Sequence, residues 1–96
     1  SSVIPIADLK KEIERNLDSL EASFRDRDQA AMNSLLHDLM GFCGLYGISE
    51  IRALVVELRG SEIDAASTNS KSFEIINRIR QYMETSAKFK STEPVQ

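Results

Sequence analysis

His and Cys are among the residue types that act as nucleophiles and metal ligands, and the chain has one of each, His37 and Cys43. A single Cys cannot form an internal disulfide, and one Cys with one His cannot supply the three or four ligands of a zinc site. We therefore expect neither a metal centre nor a resident cofactor. Any imidazole chemistry must use His37 alone, which excludes mechanisms that need two histidines.

Length, charge and hydropathy limit the kinds of protein that these 96 residues can form. A chain of this size supports one domain with one core, residues 1–96, with frayed or linker ends at about 1–4 and 90–96. Twelve basic and fifteen acidic side chains give a net charge of −3, which argues against nucleic-acid binding because phosphates attract clustered Lys and Arg. No apolar run reaches the ~20 residues that span a bilayer. We expect no membrane contact, and the lone Cys favours a cytoplasmic setting.

Apolar residues at helical spacing predict two long amphipathic helices in the first half of the chain. Between Pro5 and Arg25 they are Ile6, Leu9, Ile13, Leu17, Leu20 and Phe24. Asp28 is suited to cap the next helix, because its carboxylate can accept from the first unpaired backbone amides, and Gly47 suits the left-handed position that ends it. The apolar series of that helix is Met32, Leu35, Leu36, Leu39, Phe42, Cys43 and Tyr46. Cys43 lies within this series, so we expect it to be an inert core residue.

Two more helices are predicted in the second half. Ser49 is suited to cap a third helix that ends before Gly60. Its apolar stripe consists of Ile51, Leu54, Val55 and Leu58. Residues 61–70 are mostly small and polar and indicate a loop, with a turn of helix around Ile63 as the alternative. A fourth helix that fades by Lys90 is marked by Phe73, Ile76, Ile79, Tyr82 and Met83.

The four predicted helices determine the expected fold class. No period-two alternation bounded by turn residues indicates a β-strand in the sequence. Amphipathic helices without a sheet can bury their apolar stripes only against one another. The sequence therefore predicts an all-α domain, an antiparallel up-down four-helix bundle of one chain, which we expect to be a monomer.

His37 is predicted to point away from the core of this bundle. At about 100° per residue, its direction lies roughly 150° from the centre of the apolar face of the second helix. Its neighbours one and two turns away are the small residues Ala30, Asn33, Ser34, Gly41 and Gly44. An interior glycine costs about 1 kcal/mol of helix stability relative to alanine, so we expect this pair of glycines to give a bulky partner access to His37. The alternatives are a close approach of another helix and a kink.

An exposed imidazole that is largely neutral at physiological pH offers a nucleophilic ring nitrogen. Acyl transfer would need an oxyanion hole and a pocket, and a convex helix face provides neither. Phosphoryl transfer requires less of this chain, because a partner can bring the phosphoryl group, the Mg²⁺ and the charge stabilisation. The surroundings of His37 therefore favour phosphoryl transfer from a protein-sized donor.

The run His37-Asp38-Leu39-Met40-Gly41, with Asp28 nine residues before the histidine and Gly47 ten residues after it, resembles the histidine-containing phosphotransfer (HPt) domains of multistep phosphorelays. Their usual pattern is His-x-Leu-Lys-Gly, followed by a glycine that ends the helix and a leucine-rich third helix. The resemblance covers nearly the whole chain and implies a cytoplasmic phosphorelay intermediate without an ATP site. It implies that His37 accepts a phosphoryl group from the aspartyl phosphate of one response-regulator receiver domain and passes it to the Asp of another. Mg²⁺ is then expected in the receiver.

The resemblance also implies roles for several residues near His37. Met40 and Gly41 would border the phosphoryl group, and Met40 stands where the family has Lys, which removes a nearby positive charge. Arg59, toward the end of an antiparallel third helix, is a candidate substitute cation. The surface expected to dock the receiver, called here the receiver-docking surface, consists of Ala30, Asn33, Ser34, Asp38, Met40, Gly41 and Gly44.

Other functions compete with active phosphotransfer. The dimerisation helices of a sensor kinase also present a phosphorylatable His, but they use two chains and a His-Glu signal followed by a basic residue and a Pro, where this chain has Gly41. A metal-dependent His-Asp phosphohydrolase is excluded because a second His is absent from the sequence. An inactive HPt-like module that docks a receiver or kinase without chemistry stays open, with Met40 as the argument for it. Whether the domain is free-standing or tethered to a hybrid sensor histidine kinase also stays open.

Overall fold

The computed structural model describes residues 4–61 and 68–90 of the chain. This part contains a short 3₁₀ turn at Ala87–Phe89, preceded by four α-helices: α1 (Ile6–Asp26), α2 (Gln29–Tyr46), α3 (Ser49–Ser61) and α4 (Thr68–Thr85). None of the described residues lies in a strand, so the predicted all-helical class is confirmed for them. The predictions for 1–3, 62–67 and 91–96 fall outside the described residues.

The turn between α1 and α2 forms largely as the sequence predicts. Asp28 caps α2, since its Oδ1 accepts from the backbone N–H of Ala31 at 3.1 Å. Arg27 ends α1 with a φ of 55°, and its N–H donates to the carbonyl of Phe24. A residue other than glycine seldom adopts this left-handed conformation, which explains why the sequence gives no signal for it. The chain thus passes from α1 to α2 through two residues, Arg27 and Asp28.

The turn between α2 and α3 confirms one prediction and corrects another. Gly47 ends α2 in the left-handed region, with a φ of 66°. Ser49 is the first residue of α3 and does not cap it; its hydroxyl donates to Glu50 Oε1 at 3.4 Å. Ile48 precedes the helix instead, and its carbonyl accepts from the N–H of Arg52 at 3.0 Å. Because the Ile48 side chain is buried in the core, packing fixes the start of α3 where a side-chain cap was expected.

Both ends of the third connection are more helical than the polar composition of 61–70 indicates. α3 continues through Gly60 to Ser61, whose Oγ donates to the carbonyl of Leu58 at 2.9 Å and lies 3.1 Å from Ser72 Oγ. α4 already includes residues 68–70. Ser and Thr favour helix ends as well as loops, so their presence alone does not separate the two structures.

The predicted apolar stripes meet in one core that the described helices share. Its buried apolar residues are Leu9, Ile13, Leu17, Leu20, Phe24, Met32, Leu36, Leu39, Cys43, Ile48, Ile51, Val55, Leu58, Ile75, Ile76, Ile79, Met83 and Phe89. α1 packs against α2 and α4, and α3 packs against the same two helices. Phe89 joins the core through the 3₁₀ turn and meets the Tyr82 ring edge-on at 6.1 Å. None of the described helices combines the length and apolar character needed to cross a membrane.

Candidate functional site

His37 lies near the middle of α2, on the side away from the core. Its side chain is 89% exposed, whereas Leu36 and Leu39 on either side of it are buried. The exposure predicted from the helical angle is therefore confirmed. Since α2 is held by its apolar face against α1 and α3, the imidazole is presented to solvent on a rigid element.

Gly41 and Gly44 continue the surface of His37 along α2, and the three residues together are called here the His37 strip. A Cβ added at either glycine would meet no described atom within 4 Å. Close packing of another described helix is therefore not the reason for these glycines. α2 runs without interruption through both positions, and neither glycine has a positive φ. No contact within the described fold requires glycine at either position.

Asp38 shapes the electrostatics of the imidazole. Its Oδ1 lies 3.8 Å from His37 Nδ1, too far for a hydrogen bond. The carboxylate therefore lies on the Nδ1 side of the imidazole. Because both side chains are exposed, the interaction contributes less than about 1 kcal/mol. The other ring nitrogen, Nε2, has no polar contact among the described residues.

A depression beside the imidazole, called here the Arg59 depression, lies between α2 and α3. It has a volume of about 240 Å³ and is lined by Asn33, Leu36, His37, Met40 and Arg59. The structure thus brings His37, Met40 and Arg59 together, as the sequence suggested. Met40 is half-buried against the core and forms an apolar wall, while Arg59 contributes a positively charged guanidinium group. An anion on His37 would lie next to that positive charge.

The other residues of the predicted receiver-docking surface are exposed along α2, namely Ala30, Asn33, Ser34, Asp38, Gly41 and Gly44. Asn33 Oδ1 accepts from Gln29 Nε2 at 3.1 Å. Two exposed apolar side chains, Leu45 on α2 and Val56 on α3, are also present and were not predicted. Their exposure could have been predicted from their positions, because both residues fall outside the apolar stripes of their helices.

A second groove, called here the Asn16 groove, lies between α1 and α2. Its volume is about 190 Å³, and its lining residues are Glu12, Arg15, Asn16, Ser19, Leu35, Asp38 and Phe42. Asn16 was not predicted as a site residue, although it stands within the apolar stripe of α1, three residues after Ile13 and four before Leu20. A polar residue in such a stripe is the signal that could have identified it.

Cys43 is excluded from the site by burial. It lies in the core, and loss of hydration raises the pKa of its thiol to about 11, against a smaller lowering by the charge of Arg52. A protonated, buried thiol is a poor nucleophile and a poor ligand. Within residues 4–61 and 68–90, no group of three or more His, Cys, Asp or Glu side chains could hold a metal ion.

Cys43 should resist thiol reagents in the native protein at mildly alkaline pH, because the raised pKa keeps it protonated and the core covers it. Absorbance after addition of a chromogenic disulfide reagent should show reaction only after unfolding in urea. Ala53→Cys, at an exposed position of α3, should add one thiol that reacts at once. The unfolded thiol ionises near the ordinary value of 9.0, so stability should fall as pH rises from there toward 11. Rapid native labelling of Cys43 would contradict its burial.

Together these side chains form a site on a convex surface. It offers one exposed nucleophile, His37, with one adjacent cation, Arg59. The Arg59 depression, at about 240 Å³, is smaller than the ~300–1,000 Å³ of ordinary small-molecule pockets. Comparisons of the chain with protein-family models, with curated proteins and with solved structures give no match in any of the three.

Proposed function

We propose that the chain is a histidine-containing phosphotransfer domain in which His37 carries a phosphoryl group from one receiver domain to another. The observation that carries this proposal is the imidazole, 89% exposed, beside two glycines at which an added Cβ would meet no described atom. A partner that presents a phosphorylated aspartate would find an open approach along this strip. The resemblance of residues 37–41 to the family motif supports the same function.

We further propose that the helices form an antiparallel up-down bundle and that the domain acts as a cytoplasmic monomer. The antiparallel topology is supported by the length of the connections, which is two residues between α1 and α2 and two residues between α2 and α3. Connections this short favour antiparallel neighbours. α4 packs on both α1 and α3, which agrees with a closed ring of four helices. In such a bundle the second half of α3 lies level with His37, in keeping with the Arg59 depression.

In the proposed reaction, the Nε2 lone pair attacks the phosphorus of the receiver's aspartyl phosphate. The N–P bond forms while the P–O bond to the aspartate breaks, and the aspartate leaves as a carboxylate. The ring thereby becomes positively charged, and the Asp38 carboxylate beside Nδ1 offsets that charge. Transfer to a second receiver reverses these steps. The receiver, with its Mg²⁺, supplies the remaining charge neutralisation.

A phosphotransfer assay with the receiver domains of the same organism tests the proposal. At least one phosphorylated receiver should label this chain with an acid-labile, base-stable phosphate, the behaviour of phosphohistidine, and the label should pass to a second receiver. Failure of every receiver to label the chain would contradict phosphotransfer. The same assay names the partners, whether the domain is free-standing or joined to a hybrid sensor kinase.

Met40 favours a second candidate function, a docking module that binds a receiver or kinase without chemistry. The family's Lys position carries here a half-buried thioether that packs on the core, so no ammonium group from this position can face the phosphoryl group. The two functions differ in one result: a receiver that binds the chain but never labels it supports docking alone.

Charge near the phosphohistidine should set its lifetime. Met40→Lys should slow hydrolysis by up to about fivefold, and Arg59→Ala should speed it by a similar factor, because exposed charge pairs contribute up to about 1 kcal/mol. The half-life of the labelled chain at fixed ionic strength measures both effects. Lys71→Ala on α4, a helix without contacts to α2 in the described structure, should leave the half-life unchanged. Equal half-lives in all variants would show that neither position faces the phosphoryl group.

A further inference from the structure

Asn16 is a polar exception on the buried face of α1. It is 8% exposed, and its neighbours on the stripe, Ile13 and Leu20, are fully buried. The amide nitrogen Nδ2 donates to the carbonyl of Leu35 at 3.0 Å, which links α1 to α2. The amide oxygen Oδ1, although buried, accepts no hydrogen bond from any described residue. An unpaired buried acceptor destabilises a fold. A donor in the groove that Asn16 lines would reach this oxygen after a small rotation of the Asn16 side chain, and pairing it would be stabilising.

The groove that Asn16 lines has both polar and apolar residues in its wall. Phe42 contributes an apolar wall, and Asp38 contributes a carboxylate. Glu12 Oε2 pairs with Arg15 Nη1 at 2.8 Å, so these two charges compensate each other. Asp38 has only the loose 3.8 Å contact with His37 among the described ion pairs. The Asn16 groove therefore combines an uncompensated negative charge with a buried acceptor that lacks a donor.

The charge, the unpaired acceptor and the apolar wall of the Asn16 groove indicate which kind of ligand it would bind. A positively charged group with several N–H donors would serve both the Asn16 oxygen and the Asp38 carboxylate. A slender apolar stem would pack along Phe42. The volume of about 190 Å³ is smaller than the ~300–1,000 Å³ of ordinary small-molecule pockets. A lysine side chain meets all of these conditions, since it has a compact ammonium group on a four-carbon stem.

We propose that the Asn16 groove is a binding subsite for a primary ammonium group, namely a lysine side chain of the protein that docks on His37; only the identity of that protein rests on the function proposed above. Asp38 follows His37 directly, so the groove opens on the α1 side of the imidazole, while the Arg59 depression opens on the α3 side. A docking protein thus meets an acceptor on one side of His37 and a cation on the other. This asymmetry fixes the direction in which the partner lies across α2.

An NMR titration of the ¹⁵N-labelled chain with n-butylammonium chloride tests the subsite without any receiver. Saturable shifts are expected for the side-chain amide of Asn16 and for the backbone amides of Ser19, Asp38 and Phe42. Butyltrimethylammonium has the same charge but no N–H donor, so it should bind at least about tenfold more weakly. A water molecule that merely satisfies Oδ1 predicts no saturable response. Absence of saturation, or equal binding of the two cations, would overturn the proposal.

Two variants locate the binding. Asn16→Leu removes the acceptor and should abolish the response of Ser19 and Phe42, while its urea midpoint stays equal or rises because the unpaired oxygen is gone. Asp38→Asn changes an exposed position, so it tests the site even if Asn16→Leu does not fold; it should weaken binding about two- to fivefold. Glu74→Gln on α4, at an exposed residue that does not line this groove, is the matched control. Unchanged binding in Asp38→Asn, or in a folded Asn16→Leu, would refute the subsite.

The phosphotransfer function and the ammonium subsite can be tested independently of each other. Without any receiver that labels His37, the butylammonium titration still decides the subsite. With a receiver identified, Asn16→Leu should weaken its binding about tenfold while the half-life of the phosphohistidine stays the same. A receiver that binds Asn16→Leu and the unchanged chain equally would show that its lysines do not use the groove.

Discussion

His37→Gln is expected to abolish phosphoryl acceptance completely and to leave the folded domain intact. Glutamine keeps a polar side chain of similar length, but the lone pair of its amide nitrogen is delocalised and forms no bond to phosphorus. The imidazole is 89% exposed, and its one described polar contact is the 3.8 Å approach of Asp38. Its replacement should therefore change the free energy of unfolding by less than about 0.5 kcal/mol. Receiver labelling and urea unfolding of the same sample measure both effects.

A displaced histidine provides the matched control for this experiment. The double variant His37→Gln with Ser34→His puts an imidazole one turn earlier on the exposed face of α2. It restores the ring but not its position beside Gly41, Gly44 and Arg59, so labelling should stay well below that of the unchanged chain. Labelling that persists in His37→Gln alone would assign the phosphate to another residue. Full recovery in the double variant would show that an exposed imidazole suffices anywhere on this face.

Gly41→Leu is expected to stabilise the domain and to block the receiver. Interior glycine is about 1 kcal/mol less favourable than alanine or leucine in a helix, and a Cβ at this position meets no described atom within 4 Å. The free energy of unfolding should rise by about that amount. A leucine side chain one turn from the imidazole would instead occupy the space through which the partner approaches. Receiver affinity should fall at least about tenfold, a loss of more than about 1.4 kcal/mol.

Asn77→Leu on α4 separates the local effect from a general one. It adds the same side chain at an exposed helical position, on a helix that does not contact α2 in the described structure. Its stability should also rise slightly, since leucine favours helices more than asparagine does, and its receiver affinity should be unchanged. Calorimetric titration with the receiver and urea unfolding measure the two quantities. A destabilised Gly41→Leu with normal affinity would show that the glycine serves the fold.

The helix that carries His37 could be predicted almost completely from the sequence. Asp28 and Gly47 are strong signals for the two ends of α2, because each satisfies backbone groups that a helix terminus leaves unpaired. The apolar period between them directs Leu36 and Leu39 inward, and the exposure of His37 follows from the same period. Local interactions are enough to predict this helix, because each of these predictions concerns residues within a few helical turns of one another.

The features that depend on packing between helices were harder to predict. Periodicity places Asn16 on the buried face of α1, but only the register of α1 against α2 shows that one half of its amide reaches Leu35 and the other half has no described partner. Phe89 follows the end of the helical pattern, and its burial depends on Tyr82 across the 3₁₀ turn. The left-handed φ of Arg27 runs against residue preference. Only for Asn16 does the deciding contact join two helices; at Arg27 and Phe89 the local structure departs from what the residue types favour.

The two-residue connections on either side of α2 have a consequence for the speed of folding. α2 packs against α1 and α3, its neighbours in the sequence, and contacts between such segments form at low cost in loop-closure entropy. Helical domains with mainly local contacts fold in microseconds to milliseconds, and we expect the same here, with the pairing of α4 and α1 completing the core last. The inner face of α2 then governs how fast the chain folds, while residues on its outer face are free to change without slowing it.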